Sequence, residues 1–266
     1  MSLEHIIVLA IVQGLTEFLP ISSSGHLNLI HLLTAWPDQG PIIDVALHVG
    51  SLFAVFLYFW RDTGQLAIGV RDTLTFRQTP AARLLQLLIV ATIPLFSVGF
   101  VLFETGLIEA LRTVEVIAWA NLIFAILLYA VDKHQAQERE LGTLNLKGAI
   151  GIGLFQAFAL LPGASRSGAC MTAARAYGFK RTESARLATL MAIPAILGAG
   201  LLATLDVLEQ GDLQLGLDAI TAAILAFIVA YLSIWGMMAL LRRTSMTPFV
   251  IYRVVLGLIL FWIAYA

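Results

Sequence analysis

The sequence predicts an all-α polytopic membrane protein, and three observations lead to that fold class. Of the 266 residues, 59% are hydrophobic and only 12% are charged, whereas a soluble domain usually carries about twice that charge. Apolar runs long enough to cross a bilayer, about 17–25 residues, recur along the chain. Two further apolar stretches are interrupted by short polar loops. We therefore expect one integral membrane domain over residues 1–266.

Net charge and cysteine content exclude several other classes. The formal net charge is −1 and the sequence has no basic stripe, so we expect no nucleic-acid partner. The one cysteine, Cys170, excludes an internal disulfide and offers no zinc spacing with the five histidines. The first residues lack a basic region and a clear cleavage site, and we therefore expect no removable signal peptide.

The apolar runs predict six transmembrane helices and two broken segments. The six helices are expected at about 43–60, 84–103, 116–131, 185–204, 218–240 and 249–265. The broken segments, at about 3–34 and 148–177, are interrupted by polar loops at 20–25 and 162–168. Because each half of a broken segment is too short to span a bilayer, we predict two re-entrant helix-loop-helix segments. Non-helical backbone persists at that depth only where protein or a wet cavity satisfies it.

The distribution of positive charge predicts the orientation of these segments. Most of the 16 Lys and Arg residues fall in four stretches, which we assign to the cytoplasm. Both chain ends then lie outside, the first broken segment enters from outside, and the second enters from the cytoplasm. The residues assigned to the cytoplasm are Arg61, Arg71, Arg77, Arg83, Lys133, Arg139, Lys147, Arg175, Lys180, Arg181, Arg186, Arg242, Arg243 and Arg253.

The two halves of the chain follow the same plan, which predicts an inverted-topology repeat. Residues 1–135 and residues 148–266 each consist of a broken segment followed by three spans. An odd number of spans per half gives the halves opposite orientations. This architecture places a site where the broken helices meet, near the bilayer midplane.

Two charged residues remain inside the membrane after the loop charges have been assigned, and they predict the position of a site. They are Glu17 and Arg166, and an ionisable residue at that depth is functional by default. Gln13 lies one helical turn before Glu17 on the same face, and His26 follows the first serine run. The alternative interpretation is a buried ion pair that holds the two halves in register.

Serine and glycine residues lie where each broken segment restarts a helix. Two helix N-termini that face one point form an anion site, and the guanidinium of Arg166 suits phosphate. Gln13 and Glu17 would supply oxygen ligands to a Mg²⁺ or Ca²⁺ that screens the anion. Taken singly, the serines have the alternative role of helix caps, and His26 that of a core histidine. The predicted substrate-binding residues are Gln13, Ser22, Ser24, Gly25, Ser165, Ser167 and Gly168, with His48 and Asn121 as further lining candidates.

Two long motifs carry a resemblance to a known family. They are Gln13-Gly-Leu-Thr-Glu17-Phe-Leu-Pro-Ile-Ser-Ser-Ser-Gly-His26 and Pro162-Gly-Ala-Ser-Arg-Ser-Gly168. Both closely resemble the undecaprenyl-diphosphate phosphatases, also called bacitracin-resistance proteins. The likeness extends over the whole chain and includes the Tyr252-Arg253 pair at the start of the last span.

The resemblance implies a hydrolase that converts undecaprenyl diphosphate to undecaprenyl phosphate and phosphate. Such an enzyme recycles the lipid carrier for peptidoglycan synthesis and gives bacitracin resistance. It is a multi-pass protein of the bacterial inner membrane, with its site reached from the periplasmic face, and its partners are the lipid diphosphate and membrane lipid. The resemblance places the family's acidic pair on Gln13 and Glu17, its serine and histidine positions on Ser22, Ser23, Ser24 and His26, and its arginine loop on Ser165, Arg166 and Ser167. Of these we expect Glu17, Ser23, His26 and Arg166 to be catalytic. The oligomeric state is left open, a homodimer included. Gln13 departs from members with Glu, which puts in doubt a mechanism with two carboxylates on the metal.

Alternatives remain for both the mechanism and the class of protein. Ser23 is the first choice of nucleophile, with His26 or Glu17 taking its proton; His26 as nucleophile and a metal-activated water follow. The acid-phosphatase-like lipid phosphatases need a further histidine after their Ser-Arg motif, and since no histidine follows His134, that class is excluded. A secondary transporter or a lipid flippase built on the inverted repeat is the alternative from another class.

Overall fold

The structure, a computed structural model, is all-α over the residues it describes, which are 1–34, 36–37, 39–207 and 213–265. One-turn 3₁₀ segments lie at Leu141–Thr143 and Ala157–Leu160. The predicted all-α fold class is confirmed. The α-helices, in chain order, are α1 (Leu3–Thr16), α2 (Ser23–Leu33), α3 (Gly40–Tyr58), α4 (Trp60–Leu74), α5 (Pro80–Glu104), α6 (Leu107–Ala110), α7 (Val114–His134), α8 (Leu146–Gln156), α9 (Arg166–Ala176), α10 (Arg181–Val207), α11 (Leu213–Leu241) and α12 (Thr247–Tyr265).

Five of the described helices are long and apolar enough to cross a membrane. They confirm five of the six predicted spans and the assignment to polytopic membrane proteins. The sixth predicted span, at 185–204, falls in α10, a helix of 27 residues, whose side chains at 199 and 201–207 lie outside the described residues. The five spans are Gly40–Tyr58, Pro80–Glu104, Val114–His134, Leu215–Leu241 and Thr247–Tyr265.

The charged stretch 61–83, which connects two of the predicted spans, contains α4. Leu66, Gly69 and Asp72 are the buried residues of this helix, and their spacing of three places them along one side of it. A Cβ at Gly69 would lie 2.5 Å from the carbonyl oxygen of Ala81, so this side packs closely on α5. Charges on the outer side of a helix do not prevent it from forming, so a charged connection between spans can itself be helical.

Each predicted broken segment consists of two short helices joined by a turn. Helix α1 has 14 residues, and α2, α8 and α9 have 11 each. At 1.5 Å per residue none of them exceeds roughly 21 Å, whereas the hydrocarbon core is about 30 Å thick. None of the four can therefore cross a bilayer alone. Re-entry from opposite sides and the inverted repeat over 1–135 and 148–266 stay predictions.

Glycines let the helices beside the two breaks pack closely. A Cβ at Gly50 in α3 would lie 2.1 Å from the carbonyl oxygen of Ala223 in α11. A Cβ at Gly153 in α8 would lie 2.5 Å from the carbonyl oxygen of Ala91 in α5. Small residues at such contacts are usual between membrane helices. Helix α1 also packs on α11. The contacts of α11 with α1 and α3, and of α5 with α8, therefore fix the positions of α1 and α8, the helices that lead into the two breaks.

An ionic cluster joins four parts of the chain at the end that we predict to be cytoplasmic. Asp132 in α7 accepts hydrogen bonds from Arg175 Nε at 3.0 Å, Arg181 Nε at 2.8 Å and Met246 N at 3.0 Å. Arg175 is fully buried and also donates to the backbone oxygens of residues 132, 135 and 136. Because a buried charge is costly unless it is paired and hydrogen-bonded, the cluster ties α7, α9 and α10 to the start of α12.

Candidate active site

The turns of the two broken segments contact each other directly. Arg166 Nη2 donates to Glu17 Oε1 at 2.7 Å, and Ser167 Oγ donates to the carbonyl oxygen of Leu19 at 2.7 Å. The side chains of Glu17 and Arg166 are only 4% and 15% exposed. The fold thus brings together the two charges that the sequence left inside the membrane.

Ser22 and Ser165 adopt the same backbone geometry at equivalent places in the two turns. Their φ angles are 75° and 72°, in the left-handed region that residues other than glycine rarely adopt. Ser22 Oγ accepts from Gly25 N at 3.3 Å, and Ser165 Oγ accepts from Gly168 N at 3.1 Å, so both serines are helix caps. Strained backbone of this kind costs about 1–3 kcal/mol and is concentrated at functional sites. Capping satisfies one N–H per helix, and the first turn of a helix has others without intrahelical partners.

Glu17 is surrounded by hydrogen-bond donors, one of which is the predicted nucleophile. Glu17 Oε2 accepts from Ser23 Oγ at 2.7 Å and from Gln13 Nε2 at 3.0 Å. The Ser23 proton therefore points at a carboxylate, which is the arrangement of a nucleophile beside its base. His48 Nε2 lies 3.7 Å from the same oxygen. Of the two bases that the sequence left open for Ser23, Glu17 is the one in contact with it.

His26 makes other contacts. Its Nδ1 lies 2.7 Å from the carbonyl oxygen of Ser22, and because a carbonyl oxygen only accepts, Nδ1 carries the proton. Its Nε2 lies 2.6 Å from the hydroxyl of Tyr252 and accepts from it, and the two rings stack with centroids 5.8 Å apart. His26 therefore joins the start of α2 to α12 in this structure. Tyr252 is a contact that sequence reasoning did not find, since only the fold brings it to His26.

A cavity of about 400 Å³ opens beside Glu17 and is lined by both polar and apolar side chains. Ser23, His48 and Arg166 all lie around Glu17 in this lining, and we call this cluster the polar end of the cavity. His48 is among its polar lining residues, as the sequence suggested. Gln13, Ser22 and His26 are not among its lining residues. The polar lining residues are Glu17, Ser23, Ser24, Asp44, His48, Ser165 and Arg166, and the apolar ones include Val45, Val49, Leu95, Ala195 and Ile196.

Arg253 is a second fixed positive charge of the site, and the sequence analysis assigned it to the cytoplasm. That assignment is wrong, because Arg253 lies within the apolar helix α12 and is fully buried. It donates to the carbonyl oxygens of Pro20 and Gly163, one in each turn. Asn121 binds Arg253 and does not line the cavity. An arginine seven residues into an apolar span is the signal that could have found it, but its nearness in sequence to Arg242 and Arg243 hid it.

Comparison with known proteins identifies the family of the chain. Residues 6–259 match the model of the family described as "Bacitracin resistance protein BacA". The chain belongs to this family. A protein of Ruegeria pomeroyi named "Undecaprenyl-diphosphatase" is 51% identical over 267 residues, and one of Jannaschia sp. with the same name is 49% identical; both alignments cover 100% of each chain. "Undecaprenyl-diphosphatase 1" of Rhodospirillum rubrum is 43% identical over 100% of this chain and 96% of its own.

The oxygen atoms around Glu17 decide how well the site of this BacA-family protein fits a divalent cation. Within the described part of the chain, no group of three or more His, Cys, Asp or Glu residues is arranged to hold a metal. Gln13 Oε1, however, is buried there without a hydrogen-bond partner, and hard cations prefer oxygen ligands. One carboxylate, already paired with Arg166, and one amide oxygen fit a cation that brings other ligands with it. The departure at Gln13 therefore fits a cation bound together with a phosphorylated substrate.

Proposed function

We propose that this protein hydrolyses undecaprenyl diphosphate to undecaprenyl phosphate and phosphate. The observation that carries the proposal is the contact of Ser23 with Glu17 and of Glu17 with Arg166 at the polar end of the cavity. A nucleophile, its base and a guanidinium group suited to phosphate thus lie within one site. Relatives of the full length of the chain are named undecaprenyl-diphosphatase, which supports the same reaction.

The polar and apolar residues that line the cavity suit a lipid diphosphate. The headgroup would lie among the polar residues, where Arg166 and the starts of α2 and α9 provide positive charge and N–H donors. The prenyl chain would lie along Val45, Leu95 and Ile196, which belong to α3, α5 and α10. A long apolar chain remains in hydrocarbon while its charged end reaches a buried polar site, and a pocket with one polar end allows both.

Ser23 performs the first step of the proposed reaction. Its Oγ attacks the terminal phosphorus, and its proton passes to Glu17 Oε2 as the new P–O bond forms. The bond between that phosphorus and the bridging oxygen breaks, and undecaprenyl phosphate leaves with the bridging oxygen. Water then attacks the phosphorus of the phosphoserine, the bond from phosphorus to Ser23 Oγ breaks, and Glu17 returns its proton to Ser23 Oγ as phosphate is released. Arg166 and the backbone N–H groups of the helix starts stabilise the charge that spreads over the phosphoryl oxygens.

A divalent cation fits this scheme as a companion of the substrate. Glu17 and Gln13 Oε1 would hold Mg²⁺ or Ca²⁺ together with diphosphate oxygens, and the cation would supply charge neutralisation.

The proposed location is the bacterial inner membrane, with the site reached from the periplasmic face. The bias of Lys and Arg towards the opposite side supports this orientation. Hydrolysis there would recycle the lipid carrier for peptidoglycan synthesis and would give bacitracin resistance, as the family description suggests.

Phosphate release by the purified protein tests the proposal. In detergent, with a C55 diphosphate as substrate, the wild-type protein should release phosphate, and Ser23→Ala should release at least about 100-fold less, in line with the loss of the nucleophile. Ser97→Ala, on the exposed side of α5, is the matched control and should retain the wild-type rate. A phosphoryl group trapped at low pH should be found on Ser23 by mass spectrometry.

The same experiment separates the enzyme from a transporter or flippase. Broken helices that meet at a polar site also occur in secondary transporters, and transport requires two compartments whereas hydrolysis does not. Release of phosphate in detergent supports the phosphatase. Tight binding of the lipid without release would favour transport and overturn the proposal.

A further inference from the structure

Arg253 donates hydrogen bonds to both turns of the site. Its Nη1 donates to the carbonyl oxygen of Pro20 at 3.1 Å. Its Nη2 donates to the carbonyl oxygens of Gly163 at 2.9 Å and of Ala164 at 3.1 Å. Pro20 lies two residues before Ser22, and Ala164 directly precedes Ser165. One guanidinium group therefore joins the backbones of the two strained turns.

Asn121 holds this guanidinium in place. Arg253 Nε donates to Asn121 Oδ1 at 2.9 Å, and Asn121 Nδ2 donates to the carbonyl oxygen of Arg253 at 2.8 Å. The exchange of hydrogen bonds locks α12 to α7 at the level of the turns. Both residues are buried, with 0% and 1% of their surface exposed, so water does not compete for these donors.

The backbone of α9 approaches the guanidinium of Arg253 closely at Gly168. A Cβ at Gly168, in the first turn of α9, would lie 2.9 Å from Arg253 Nη1. The acceptors of Arg253 are backbone and amide oxygens, and no carboxylate is within ion-pair distance of it in the described part of the chain. Lysine would keep the charge but could not direct donors to both turns at once, because its donors lie on a single nitrogen.

We propose that Arg253 is a positioning residue for the phosphatase reaction, and that it sets the distance between the turn that carries Ser23 and the turn that carries Arg166. The inference rests on the proposed function and adds a residue to it. Ser23 and Glu17 belong to the first half of the chain and Arg166 to the second, so the reaction depends on the register between the halves. A misplacement of about 1 Å in such a site costs about 100-fold in rate.

Arg253→Lys and Arg253→Met test this role in the full-length protein. The amount of folded protein is taken from the monodisperse fraction, so that kcat refers to folded molecules only. We expect kcat of Arg253→Lys to fall about 100-fold and kcat of Arg253→Met to fall further, with KM within about 3-fold because Arg166 and the lipid chain still bind. Arg242→Met, at an exposed arginine beyond α11, is the matched control and should keep the wild-type kcat. An unchanged kcat per folded molecule in Arg253→Lys overturns the proposal.

Asn121→Ala provides a second test that does not require Arg253 variants to fold. It removes one partner of the guanidinium and should lower kcat about 10-fold, as expected for the loss of about 1.4 kcal/mol. Where both variants fold, adding Asn121→Ala to Arg253→Lys should lower kcat by less than the product of the separate factors, because both act on one contact. Additive effects, or a wild-type kcat in Asn121→Ala, overturn the inference. A wild-type protein that releases no phosphate overturns the proposed function instead.

Discussion

The two nitrogens at the end of the Arg166 side chain have different surroundings, and the difference predicts the effect of Arg166→Lys. Nη2 donates to Glu17 Oε1 at 2.7 Å, whereas Nη1 is buried without a hydrogen-bond partner within the described part of the chain. We infer that Nη1 donates to the phosphoryl group in the transition state. Lysine has one nitrogen in place of the fork, so it can serve Glu17 or the phosphoryl group but not both in the same geometry. Loss of one transition-state donor costs about 2.7–4 kcal/mol, or a factor of about 10²–10³ in kcat.

The assay is kcat/KM for phosphate release from a C55 diphosphate in detergent. Arg186→Lys is the matched control, since Arg186 is also paired with carboxylates, those of Asp62 and Glu183, but lines a different cavity. We expect the control to retain the wild-type rate within about 3-fold, as for a partly exposed pair, and Arg166→Lys to lose about 100-fold or more. If Arg166→Lys were as active as the control, Arg166 would be a structural ion pair and the reasoning would be refuted.

Chelator is expected to abolish phosphate release and added Mg²⁺ or Ca²⁺ to restore it, and Gln13→Glu should shift the metal dependence to lower concentrations because it adds a carboxylate ligand; insensitivity to chelator together with an unshifted curve would exclude a cation at this place. Tyr252→Phe removes the hydroxyl that donates to the histidine of the site and should lower kcat up to about 10-fold, the effect of one hydrogen bond; an unaltered kcat would show that this contact does not matter for turnover. In a Cys170→Ala background, an impermeant thiol reagent on intact spheroplasts should label Glu104→Cys and not Thr75→Cys, because the two positions lie near opposite ends of α5; the opposite labelling would invert the orientation.

Residues whose burial in a membrane costs free energy can be recognised in the sequence. A carboxylate and a guanidinium within apolar segments stand out because burying either one costs several kcal/mol, and this identified Glu17 and Arg166. The serine-glycine runs stand out because they interrupt apolar helices with residues that favour caps and turns. The fold class and five of the spans were predicted from composition and from the lengths of the apolar runs.

Contacts between distant residues were decided by the tertiary structure. The sequence left both His26 and Glu17 as the base of Ser23, and the choice depends on side-chain directions at a turn whose strained serine, Ser22, has no signature in the sequence. Arg253 shows the same limit, because its place near other arginines suggested a cytoplasmic end whereas the packing of α12 against both turns buries it. Residue type and spacing indicate which groups cannot be exposed to lipid. Their hydrogen-bond partners depend on distances between helices far apart in the chain, and those distances are set by the packing of glycines such as Gly50 and Gly153.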